Sequence, residues 1–124
     1  MSVLAIVIND QLTLQFDRSK QLPENQQQYL DKLDDKFKQG IELQGEKIEN
    51  PDIQQIARYM SLILMESIMY QEDDKAAVSM AWLATRLPDL KQVKAIVDDK
   101  GTQFDLISDS EYKPHKVVNF DGLN

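Results

Sequence analysis

The sequence predicts an α+β domain: a mostly antiparallel sheet made by an N-terminal and a C-terminal β-hairpin, with about three helices in between packed on one face. Three observations predict it. Both ends of the chain carry apolar residues at a spacing of two, broken by turn residues. The middle carries them at helical spacing, behind recognisable helix-start residues. No linker divides the 124 residues, so one domain over 1–124 is expected, with 108–124 as a flexible tail.

Val3 to Ile8 is a continuous β-branched run, which suits an interior strand covered on both faces. Asn9-Asp10 tolerates positive φ and supplies the turn. Leu12, Leu14 and Phe16 then alternate with Gln11, Thr13 and Gln15, which completes the first hairpin. Asp17 to Gln21 is a polar exit loop.

A helix begins near Pro23, a residue suited to a first helical turn. Tyr29, Leu30, Leu33, Phe37 and Ile41 share one arc, and Asp31, Asp34 and Asp35 make the opposite side acidic. Gly40 and Gly45 each cost about 1 kcal/mol in a helix interior and leave its end open between them, with Gly45 the candidate αL stop and Glu46 to Glu49 then as loop. Asn50-Pro51-Asp52 is a strong start for the next helix: Asn as cap, Pro at the first helical position, Asp at the positive dipole end.

This second helix runs to about Gln71 and is apolar on more than one face. Ile53, Ile56, Ala57, Met60, Ile63, Leu64 and Ile68 form its main stripe. Leu62, Met65 and Met69 form another at i, i+3 and i+7. A helix apolar nearly all round must be covered on several sides, by its own fold or by another molecule. Glu72-Asp73-Asp74 caps a third helix over Lys75 to Leu87. Ala76, Met80, Leu83, Ala84 and Leu87 share its face, while Val78 and Trp82 lie largely off it. Pro88-Asp89 marks its stop.

The period then returns to two. Val93, Ala95 and Val97 precede the turn Asp98-Asp99-Lys100-Gly101, and Phe104 and Leu106 follow it. Ser108 to His115 is polar, and Pro114 argues against a strand there. Lys116 to Phe120 suits either a short fifth strand or a tail that orders on binding.

Chemistry is scarce. The lack of cysteine removes disulfides, thiolate metal sites and cysteine nucleophiles. His115 is the single histidine and sits in the tail, so neither a serine triad nor a zinc site is expected. Ser61, Ser67 and Ser79 fall in helices as small packing residues. The four glycines form no phosphate-binding loop, and no cofactor is expected. A net charge of −7 disfavours nucleic acid and anionic lipid as partners. No segment has the roughly 18 consecutive apolar residues of a membrane span. The N-terminus lacks the basic leader of a secretory signal, and a cytoplasmic location is expected.

These features favour a non-enzymatic binding or accessory protein that self-associates, as a dimer, through its central helices. Leu62, Met65, Met69, Val78 and Trp82 are the candidate interface, because methionine adapts to partner surfaces and tryptophan is enriched in hot spots. One alternative is an acidic inhibitor, immunity protein or secretion chaperone for a basic partner, using the acidic side around Asp31, Asp34 and Asp35. The other is a small-molecule enzyme or sensor with a pocket at Tyr59, Glu66 and Tyr70 between sheet and helices.

Overall fold

The computed structural model describes residues 3–43 and 45–112. Its elements run β1 Val3–Ile8, β2 Gln11–Asp17, α1 Glu24–Lys38, β3 Ile41–Leu43, β4 Glu46–Ile48, α2 Ile53–Met69, α3 Asp73–Arg86, β5 Gln92–Asp98 and β6 Gly101–Ile107. The two long hairpins join as one sheet in the order β2-β1-β5-β6. Both hairpins are antiparallel, and the central pair, β1 with β5, is parallel. A parallel pair needs a long crossover, which the helical middle supplies.

Register explains which face is covered. Leu4 lies opposite Phe16, Ile6 opposite Leu14 and Val93, Val93 opposite Leu106, and Ala95 opposite Phe104. Partners share a face, so these residues make one apolar surface, and all of them join the helices in a single core. β1 is interior, with Leu4 to Val7 buried on both sides. The opposite face of the sheet leaves Val3, Leu12 and Ile96 exposed. Asn9 and Asp10 take positive φ in the β1–β2 turn, at 50° and 66°. The Asn9 side chain then continues the ladder that its backbone leaves. Its Nδ2 donates to Val97 O at 3.2 Å, and its Oδ1 accepts from Val97 N at 2.9 Å.

The helix covered nearly all round is α3 rather than α2. Every residue from Ser79 to Ala84 is buried. α2 packs along α3 as a helical hairpin, β2 touches α3 from the sheet, and α1 lies on it as well. Its C-terminal carbonyls would be orphaned without a partner. Arg18, in the loop after β2, supplies one: Nε donates to Ala84 O at 3.0 Å, and Nη2 to Leu87 O at 3.1 Å and Leu90 O at 2.6 Å. A cation there also complements the negative end of the helix dipole. Burial lowers the Arg18 pKa and Asp89 opposes that shift; a guanidinium still keeps its charge at neutral pH.

α1 is fastened to α3 through Asp34. The Trp82 indole Nε1 donates to Asp34 Oδ1 at 2.7 Å, and Arg86 Nε donates to Asp34 Oδ2 at 2.9 Å. Arg86 Nη2 also donates to Asp31 Oδ1 at 2.9 Å. Phe37 sits edge-on to both Trp82 and Tyr59, each ring centroid 5.8 Å away.

Three local expectations are corrected. α1 ends at Lys38, not at Gly45, and Gly40 turns the chain with φ 119°. Residues 46–49 are not all loop, because Glu46–Ile48 pairs with Ile41–Leu43 and brings buried Ile41 opposite Ile48. The cap of α2 is Asp52 rather than Asn50. Asp52 Oδ1 accepts from Gln55 N at 2.8 Å, and Gln55 Oε1 accepts from Asp52 N at 2.9 Å. That capping box satisfies two donors at once, whereas Asn50 is followed three residues later by Ile53, which has no acceptor to return. The strand or tail expected at 116–120 lies outside the described residues. Among the described residues, no helix is long and apolar enough to cross a membrane.

Asp34→Ala should lower unfolding free energy by about 2 kcal/mol, because it strands the buried Trp82 N–H and leaves Arg86 with Asp31 as its remaining carboxylate. Asp35→Ala, whose ion pair with Lys38 is well exposed, should cost less than about 0.5 kcal/mol. Urea denaturation of both variants makes the comparison. Gly40→Ala should cost about 1–3 kcal/mol in the same assay. Its new Cβ would lie 3.0 Å from Ile48 O, on a backbone that L side chains rarely adopt.

Candidate functional site

The fastening of α1 has a consequence for surface shape. α1 meets α3 at Asp34 and Phe37 but does not pack closely along α2. A groove of about 960 Å³ opens between α1 and the α2–α3 hairpin. Leu30 and Met60, both buried, lie at its base. Tyr29 and Leu33 of α1, Tyr59 and Ile63 of α2, and Val78 of α3 line its sides. Tyr29 is 51% exposed although aromatic. That volume is near the upper end of small-ligand pockets.

Charges around the groove come in both signs. Lys36 and Lys75 stand against Glu66 and Asp74. Lys75 also pairs with Glu72 at 3.4 Å. The groove is therefore an apolar trough with a balanced polar margin, in a chain whose net charge is −7.

The residues singled out from the sequence divide in four. Met65 and Trp82 are core residues, 2% and 1% exposed, and within one chain they are not available to a partner. Met65 lies at the edge of the α2 arc that faces inward, and Trp82 is closed over by Phe37 and Asp34 of α1. Leu62 is half-buried, and Met69 is 58% exposed. Val78, Tyr59 and Glu66 come together in the groove. Tyr70, 71% exposed, is outside its lining but follows Tyr59, Ile63 and Glu66 on the same face of α2.

Sequence reasoning missed the share of α1. Tyr29, Leu33 and Phe37 were visible as an apolar arc, and that arc is wider than the part α3 buries. The surplus was the available signal.

The groove offers contact more than chemistry. Ser61, Ser67 and Ser79 are buried, and each hydroxyl donates to the carbonyl four residues back: Ala57 O at 2.8 Å, Ile63 O at 2.6 Å and Lys75 O at 2.8 Å. None is presented as a nucleophile. Among the described residues, no group of three or more His, Cys, Asp or Glu is arranged to hold a metal ion. No protein family, curated protein or solved structure matches this chain.

Two substitutions separate the ends of the second α2 stripe. Met65→Ala should cost about 2–5 kcal/mol through lost core packing. Met69→Ala should change stability by less than about 0.5 kcal/mol. Thermal denaturation followed by circular dichroism checks both.

Proposed function

We propose that this protein is a binding module without catalytic chemistry of its own, and that the groove between α1 and the α2–α3 hairpin is its binding surface. One observation carries this: a trough of about 960 Å³ whose sides are Tyr, Leu, Ile and Val and whose margin is polar. Apolar walls supply affinity and the margin supplies orientation. A cytoplasmic setting suits a cysteine-free chain.

The alternatives have less behind them. An acidic face for a basic partner would use Asp31, Asp34 and Asp35. Arg86 already holds the first two, and Lys38 lies 3.6 Å from the third. A small-molecule enzyme would need its acid–base groups gathered. Tyr59 and Glu66 share the groove, while Tyr70 lies beyond it.

An apolar fluorescent probe, anilinonaphthalene sulfonate, tests the surface. The folded chain should bind it, and Ile63→Gln and Tyr29→Gln should each weaken that binding by about tenfold. Ile96→Gln, on the opposite face of the sheet, should leave it unchanged. Equal binding by all three variants would overturn the proposal.

A further inference from the structure

Resting on the groove as a binding surface, we infer that its occupant is a second copy of this chain, the two grooves meeting across a twofold axis with Tyr29 of each copy seated in the hollow of the other. A twofold contact brings one patch against itself, so the patch must contain both a knob and a hole, and charges of both signs. This one does. Tyr29 stands half-exposed beside the trough floored by Leu30 and Met60. Lys36 and Lys75 can meet Glu66 and Asp74 of the other copy.

Charge favours this occupant over a strongly basic one. A chain at −7 should repel its own copy almost everywhere. The groove margin relieves that repulsion locally, because Lys36 and Lys75 stand among Glu66, Asp74 and the Lys75-paired Glu72. A strongly basic partner would gain little from such a margin and would favour the acidic surface elsewhere.

The α2 wall also continues outward. Tyr70, 71% exposed, follows Glu66 at i+4 and Ile63 at i+7 on the same face. Aromatic residues and methionine are the types enriched in interfaces.

Sedimentation velocity of the full chain, from low to high micromolar concentration, is the test. The wild type should reach twice the chain mass. Tyr29→Glu should weaken the association at least about tenfold while leaving the melting temperature of the monomer in place. Lys36→Glu should weaken it most at low salt, and mixing that variant with Glu66→Lys should restore a dimer containing one of each. A chain that stays monomeric throughout, yet loses the fluorescent probe in the groove variants, would overturn self-association and leave the binding groove standing. A dimer indifferent to Tyr29→Glu and Lys36→Glu would place the contact elsewhere and overturn it equally.

Discussion

The Asp34 carboxylate is the point on which the helical layer turns. It lies between the Trp82 indole and the Arg86 guanidinium and gives one oxygen to each. Trp82 is the largest fully buried side chain, and its N–H needs an acceptor that α3 itself cannot offer. α1 brings that acceptor. Phe37, one turn further along α1, closes over the same indole and reaches Tyr59 of α2. A polar pair and an aromatic contact therefore fix α1 at one place on its neighbour. Geometry at that place is over-determined, and buried Leu30 and the Asp31–Arg86 bond hold the turn before it.

The groove follows from where α1 is attached. A helix lying flush along both α2 and α3 would have buried Tyr29, Leu33 and Ile63 between them. Fixed at Asp34 and Phe37, α1 leaves those side chains as walls around a trough. Hiding them would stabilise the chain at about 25 cal/mol for each Å² of apolar surface removed from water. That free energy remains available to whatever binds. α3 is buried throughout Ser79 to Ala84, and the unused apolar surface of the helices lies along this groove and at the two ends of α2, with Ile53 at one and Met69 and Tyr70 at the other.

Much of this was legible in sequence. Period-two patterns are local, and both long hairpins could be read from them, while the unbroken apolar run Val3 to Ile8 marked β1 as interior. The short β3–β4 pair could not, because three residues are too few to show a period. Which of Gly40 and Gly45 ends α1 was equally open, since both take positive φ for different turns. The excess of apolar surface in the middle of the chain was visible, but its location was not. A helical wheel separates Met65 from Met69 by too little to predict that one is sealed and the other exposed. Trp82 looked like a surface anchor because nothing near it in sequence announces Asp34, 48 positions away. The groove depends on the distance between helices, which no periodicity encodes.

The chain has one tryptophan, so its indole N–H gives a single magnetic-resonance signal. Solvent exchange of that proton measures the Asp34 attachment directly. Exchange should be slower than in an unfolded chain by orders of magnitude, and should stay slow on dilution, because the acceptor belongs to the same molecule. An indole proton exchanging as fast as free tryptophan in the folded protein would mean that α1 is not fastened there, and that the groove has no fixed wall.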